Sequence, residues 1–381
     1  MSEIDKVIMD TRAYSCLDCG KCTAACPVSK YDNTYSPRKV VSNMMREHGV
    51  KLLRDSQLWS CITCAMCEER CQSGVQYTEL IKSLRGEART IGENGQCTHG
   101  GALQSLMHLM TADYLSQDRL TWLDSSLKAA VKSDVLYFTG CLPYFDILFK
   151  DIGVRTIDTA KGAVKLLNSL GIVPAVLPNE RCCGHDLLWT GDTEHFAKLV
   201  EHNVEELSRS GVKTVVTTCA ECYQTLKVQY PRYAGTLDFE VVHISQLLAK
   251  GVADGKLNFR RSARKVTYHD PCKLGRFSGI YDEPRELIES IRGVELMEMG
   301  RNRNSALCCG TQAWINCGTV NKQIQVERLR EAHSTGAEVL ITSCPKCQIH
   351  LKCALHDGRL EEELGIEIMD ITSLAARALS G

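Results

Sequence analysis

Ten cysteines fall into two copies of one array: Cys141, Cys182-Cys183-Gly184 and Cys219-x-x-Cys222, then Cys272, Cys308-Cys309-Gly310 and Cys344-x-x-Cys347. Forty residues lie between Cys141 and Cys182 and 35 between Cys183 and Cys219; the second copy uses 35 and 34. A disulfide between adjacent cysteines is strained, whereas two adjacent thiolates can bind neighbouring irons of one cluster. Each array therefore reads as a metal site, and the repeat as redox machinery. Five thiolates exceed what a tetrahedral zinc ion or a single cube takes, which predicts an unusual iron–sulfur cluster, with zinc in one array, or an emptied site, as the alternative.

Upstream stand two tetrads, Cys16-x-x-Cys19-x-x-Cys22-x-x-x-Cys26-Pro27 and Cys61-x-x-Cys64-x-x-Cys67-x-x-x-Cys71. This is bacterial ferredoxin spacing, in which three close thiolates wrap one face of a [4Fe–4S] cube and the fourth of each run ligates the other cube. Cys16, Cys19 and Cys22 pair with Cys71, and Cys61, Cys64 and Cys67 with Cys26. Four thiolates can also hold zinc, but two complete tetrads with a following proline favour iron–sulfur clusters.

His185 and His269 each neighbour a cluster cysteine and could donate protons to a leaving thiolate; the plainer role is a hydrogen bond to backbone or sulfide. Lys273 and Arg276 could hold an anionic sulfonate or phosphate, or simply be solvated. Cys97, Cys317 and Cys353 fall outside the ligand sets and are expected as buried small apolar side chains. No Gly-x-Gly-x-x-Gly follows a strand, so a flavin or nicotinamide site is not expected.

The elements that carry these residues follow from periodicity. Ser36-Pro37 opens a helix with Val40, Val41, Met44 and Met45 on one side, and 78–91 reads as a second. A glycine-containing stretch leads into an apolar pattern at Leu120, Leu123 and Leu127, predicting a hinge and a docking helix. From Asp134 the order becomes strand, helix, strand: 135–139 into Cys141, a helix over 159–170, a strand over 173–177, a helix over 195–210 and a strand over 212–217 into Cys219. The second copy repeats it with strands at 265–268 and 339–342 and a helix over 320–334. In open α/β sheets, sites form beyond the carboxyl ends of strands, where the first cysteine and the Cys-x-x-Cys pair of each copy stand. The expected domains are 1–96 with the two cubes, a helical linker over 97–133, and α/β modules over 134–258 and 259–381. The fold class is a multidomain α+β and α/β protein.

At 381 residues with 44% hydrophobic content, core burial is not limiting. The 21 cysteines on so long a chain without an N-terminal apolar signal segment read as thiolate ligands in a reducing, cytoplasmic compartment. With 45 basic and 46 acidic residues there is no basic field for nucleic acid. No stretch approaches the roughly 20 apolar residues of a membrane span, so membrane association would come through a partner subunit.

The fused order of ferredoxin-like segment and two CCG modules resembles heterodisulfide reductase, specifically its D subunit or the C-plus-B fusion, over nearly the whole chain. Cys182-Cys-Gly-His-Asp-Leu-Leu-Trp189, His269-Asp-Pro-Cys272 with Gly275-Arg276, and Cys344-Pro-Lys-Cys347-Gln-Ile-His350 carry the resemblance. It implies a helical ferredoxin-like domain with two cubane clusters, and a noncubane [4Fe–4S] cluster on five cysteines in each module. It also implies single electrons passing from the cubes to the modules, where a disulfide of the CoM-S-S-CoB type is reduced to two thiols. Splitting a disulfide takes two electrons and clusters pass one at a time, so two facing clusters suit the reaction. The implied donor is a flavoprotein resembling the heterodisulfide reductase A subunit, or a cytochrome b-type subunit, within a larger complex. The alternatives are an electron relay in a flavin-based assembly, such as that of an aromatic acyl-CoA reductase, and an iron–sulfur subunit of 2-hydroxy acid or glycerol-3-phosphate oxidation. The second module departs from the family's Gly-rich continuation, reading Cys308-Cys-Gly-Thr-Gln-Ala-Trp-Ile-Asn-Cys317, which sets bulky Trp314 close to substrate access.

Overall fold

Short runs of branched and aromatic residues, suited to a pleat covered on both faces, form the strands: Val135–Phe138 (β1), Thr214–Thr217 (β2), Glu240–His243 (β3), Arg264–His269 (β4), Val294–Leu296 (β5), Val339–Thr342 (β6) and Glu367–Asp370 (β7). This computed structural model describes residues 2–47 and 50–380. The pairings are parallel, in the orders β1-β2-β3 and β5-β4-β6-β7. Register aligns the strand ends: Phe138 lies opposite Thr217 and Thr217 opposite His243, just as His269 lies opposite Thr342 and Thr342 opposite Asp370. The cysteines that follow β1, β2, β4 and β6 thus leave from carboxyl ends of adjacent strands.

The chain divides into two compact units. The first comprises Met1–Leu109, Gly184–Phe196 and Leu307–Gln325 and is built on short helices, with Pro37–Glu47 and Tyr77–Thr90 the longest of those before residue 100. Val40, Val41 and Met44 are buried as their spacing requires, whereas Met45 is exposed. The second comprises Met110–Cys183, Ala197–Ala306 and Val326–Gly381 and holds both sheets. One apolar core runs through it: Tyr137, Val164 and Val216 belong to the first repeat, Tyr268, Ile341 and Leu374 to the second. The helices Thr156–Ser169 and Ile371–Ala378 pack together inside this core.

Two sequence expectations are corrected. Leu120, Leu123 and Leu127 do pack on that core beside buried Trp122, but through turns; no helix lies between 110 and 133. Nor is 173–177 a strand. Ala175 alone bridges to Leu136 and Ala130, because Pro174 has no N–H with which to extend the ladder. Strands β3, β5 and β7, which close the sheets, had not been foreseen.

Candidate metal centres

In the first unit both tetrads bend the backbone in the same way. Asp18 and Gly20 follow Cys16 by two and four residues with φ of 53° and 79°, and Thr63 and Ala65 follow Cys61 at the same offsets with φ of 44° and 61°. A β-branched residue in the left-handed region is costly and needs a compensating interaction. Here the turn aims backbone donors at sulfur: Thr63 N–H reaches Cys61 Sγ at 3.3 Å. Cys26, Cys61, Cys64 and Cys67 line one pocket with Tyr35 and Tyr77. Burial, then the charges of Cys64 and Cys61, push the Cys26 thiol up to about 12. The Cys71 segment runs beside the chain entering the first tetrad, with Gln76 N–H on Thr11 O at 2.9 Å and Ser15 Oγ on Ser73 O at 3.1 Å. Cys61, Cys64 and Cys67 are buried, Cys16, Cys22, Cys26 and Cys71 half-buried, and Cys19 exposed.

In the second unit the first array closes on itself. Its cysteines lie close enough to act on one another's ionisation, Cys141 with Cys182, Cys183 with Cys182 and Cys222, and Cys222 with Cys219, whose Sγ accepts from Cys222 N–H at 3.5 Å. The neighbouring sulfurs and burial push Cys141, Cys183 and Cys222 well up, while Cys222 and Cys344 pull Cys219 down. A set of soft sulfurs, four of them buried and Cys141 half-buried, is the donor set iron takes, so the residues fit the implied cluster. Asn203 holds the adjacent cysteines from below: its Nδ2 donates to Cys182 O at 3.0 Å and its Oδ1 accepts from Arg181 N–H at 2.9 Å. Tyr230 donates its hydroxyl to Cys183 O at 3.2 Å. Buried Glu180 accepts from Gly140 N–H at 2.7 Å, and burial lifts its carboxyl to about 7 against the pull of Arg119. Arg119 donates to Glu180 O at 2.6 Å and also to Gly140 O.

Of the second array, Cys272, Cys344 and Cys347 belong to the same unit, and Cys308 and Cys309 to the first, where both are buried. Gly310, at φ 85°, could not be replaced: a Cβ would stand 2.8 Å from Asn321 O, and Asn321 Nδ2 donates to Gly310 O at 2.6 Å. Trp314 is buried, its carbonyl accepting from Thr98 N–H at 2.9 Å and Gln104 Nε2 at 2.8 Å. Within the second unit, Cys344 lies near enough to Cys219 for that neighbour to push its thiol well up. Beside them Lys346 Nζ lies 2.9 Å from Glu221 Oε2.

His269 is fully buried and its Nδ1 accepts from Arg328 Nε at 3.0 Å, which leaves its N–H on Nε2. His185 is buried at the start of the helix His185–Trp189, its ring 5.9 Å from that of Trp189. Lys273 is not solvated: it is buried, with Nζ 3.7 Å from the centre of the Phe277 ring. Arg276 spends its Nη1 on backbone, on Ala306 O at 2.7 Å and Asn304 O at 3.2 Å. The extra cysteines are not the buried residues expected, since Cys97 is exposed and Cys317 and Cys353 are half-buried. Sequence reading missed Arg85, Asn203, Arg119 and Glu180. Of these only Glu180-Arg181, charged residues directly before Cys182-Cys183, carried a local signal.

Residues 135–227 and 266–352 match the family described as a cysteine-rich domain (CCG), and residues 12–75 match the 4Fe-4S dicluster domain. The chain is 34% identical over 325 residues to the D subunit of dihydromethanophenazine:CoB–CoM heterodisulfide reductase from Methanosarcina mazei, across 81% of this chain and 75% of that protein. It is 30% identical over 257 residues to the EtfAB:quinone oxidoreductase of Syntrophomonas wolfei, across 65% of this chain and 34% of that one. A hypothetical protein from Helicobacter pylori shares the fold, with a TM-score of 0.57 at 10% identity over 100% of this chain and 72% of that one. Among the described residues no helix is long and apolar enough to cross a membrane. With its dicluster segment ahead of two cysteine-rich repeats, and its likeness to the Methanosarcina protein over four fifths of its length, the chain belongs to the CCG-domain iron–sulfur oxidoreductases, in the branch that holds the heterodisulfide reductase D subunit.

Proposed function

We propose that this chain is the disulfide-reducing component of a larger redox complex, which splits a mixed disulfide into two thiols with two electrons and two protons. The observation that carries the reading is the ion pair of Glu221 with Lys346, 2.9 Å apart, which brings the Cys-x-x-Cys segments of the two arrays together inside one unit. Cys16, Cys19, Cys22 and Cys71, and Cys26, Cys61, Cys64 and Cys67, would hold the two cubane clusters; Cys141, Cys182, Cys183, Cys219 and Cys222, and Cys272, Cys308, Cys309, Cys344 and Cys347, would hold the noncubane pair. When bound, such clusters supply one-electron transfer and soft iron to which sulfur binds. The protein's own part is to bury the sulfurs, exclude water and fix the adjacent cysteines through Asn203 and Tyr230. His269, held with its proton on Nε2, and His185 are the candidate donors to the departing thiolates. Electrons would come from a flavoprotein or a cytochrome b-type partner.

The test is anaerobic turnover of the purified chain with an artificial one-electron donor and CoM-S-S-CoB. Cys183→Ala and Cys309→Ala should each abolish reduction and leave the spectra of the cubane clusters intact; retained turnover refutes the reading. The likeness to EtfAB:quinone oxidoreductase favours a second reading, an electron relay, under which the chain alone reduces no disulfide and its paramagnetic signals ignore added thiols.

A further inference from the structure

Arg85 lies midway along the helix Tyr77–Thr90 with 0% of its surface exposed. A guanidinium keeps its charge in proteins, and a buried charge needs an opposite charge or a complete set of acceptors. Its acceptors are neutral oxygens: Leu58 O at 3.1 Å, Trp59 O at 3.3 Å, Cys61 O at 2.7 Å, Trp189 O at 3.0 Å and Gln312 Oε1 at 3.0 Å. Among the described residues no carboxylate pairs with it, and the electrostatic partner that weighs most on it is Cys61.

These acceptors come from three segments of the first unit: the one that delivers Cys61, the helix after Cys182-Cys183-Gly184, and the loop after Cys308-Cys309-Gly310. A backbone contact seats the second of them. Gly191 has φ 79°, and a Cβ there would lie 2.4 Å from Gly86 N and 2.5 Å from Arg85 C. So Arg85 joins the buried tetrad to the continuations of both Cys-Cys-Gly loops.

We infer that Arg85 is the fixed counter-charge of the cluster held by Cys26, Cys61, Cys64 and Cys67, and the positioning residue that ties the segments 184–196 and 307–325 of the same unit to that cluster. The inference rests on the function proposed above. A permanent positive charge in a site shielded from water favours the reduced, more negative cluster and raises its reduction potential. The other tetrad, with Cys19 exposed, has no such buried cation among the described residues. Electrons entering at the exposed tetrad are therefore drawn to the buried one.

The test is a redox titration of the anaerobic, iron-loaded protein followed by electron paramagnetic resonance. Arg85→Gln removes the charge; Gln312→Glu sets a carboxylate on the guanidinium and neutralises it in place; Arg85→Lys keeps the charge but breaks the fork. At a fixed potential, Arg85→Gln and Gln312→Glu should cut the reduced-to-oxidised ratio of one N-terminal cluster at least tenfold, about 59 mV for one electron. Arg85→Lys should stay within about threefold of wild type, about 30 mV on the same scale. Where Arg85→Gln fails to assemble its iron, Gln312→Glu and Arg85→Lys decide. An unmoved ratio in Gln312→Glu, or a shift in Arg85→Lys as large as in the neutral variants, overturns the inference. A wild-type protein with no N-terminal clusters would instead refute the functional reading itself.

Discussion

Glu221 and Lys346 occupy the same place in the two repeats, the residue before the last cysteine of Cys219-Ala-Glu-Cys222 and of Cys344-Pro-Lys-Cys347. Their charged atoms lie 2.9 Å apart, with side chains 13% and 4% exposed. At that distance the attraction is about 6 kcal/mol for an effective dielectric constant of roughly 20, against a desolvation cost of several kcal/mol per ion. The intact pair is thus nearly neutral for stability, but removing one partner leaves the other's desolvation without its main compensation. Lys346→Met and Glu221→Gln should each cost about 3–5 kcal/mol, and the double variant much less than their sum. The assay is anaerobic urea unfolding of the iron-loaded protein, followed by circular dichroism and cluster absorbance in parallel. Single variants costing under about 1 kcal/mol, or a double variant equal to the sum within about 0.5 kcal/mol, would refute the view that this pair locks the two Cys-x-x-Cys segments together.

Two other perturbations test the scaffold. Gly191→Ala should destabilise by about 2–5 kcal/mol, combining a left-handed residue with a backbone clash, whereas Gly211→Ala, at φ 72° with open space around it, should cost about 1–2 kcal/mol; equal unfolding midpoints for the two would contradict this. His243 is fully buried and burial pushes its imidazole down from 6.5 to about 4, so its contribution to stability is complete above pH 6.5 and is lost as pH falls towards 4. His243→Asn keeps an acceptor for Ser245 N–H without titrating, so between pH 7.5 and 5.5 wild type should lose about 1.4 kcal/mol more than the variant in urea unfolding, and parallel pH profiles would exclude the effect.

What the sequence revealed was whatever repeats at fixed spacing. Cysteine intervals located every candidate ligand, because a cluster demands its thiolates at short, set offsets, and apolar runs located β1, β2, β4 and β6 because a covered parallel sheet needs continuous hydrophobicity. What stayed hidden was chemistry that depends on distant partners. Arg85 reads as an ordinary helix-surface residue until Leu58, Trp189 and Gln312 close over it. The apolar stripe of 120–127 suggested a helix, yet the same leucines reach the core from turns, since period alone does not say which backbone delivers a side chain.

The repeat itself shows where duplication stops constraining the residues. His243 ends β3 and Asp370 ends β7, and each caps the next helix through a bond to the backbone two residues on: Ser245 N–H at 3.3 Å in one module, Thr372 N–H at 2.8 Å in the other. Both are fully buried, and burial drives both towards the neutral form, the imidazole down to about 4 and the carboxyl up to about 7. The position requires a buried acceptor that caps, and either side chain supplies it. Glu221 and Lys346 differ in kind: equivalent places carry opposite charges, and because they meet each other, neither could be exchanged for its counterpart without setting like charges 2.9 Å apart. At the caps the two modules could therefore drift independently, whereas at their sulfur-bearing faces they had to diverge together.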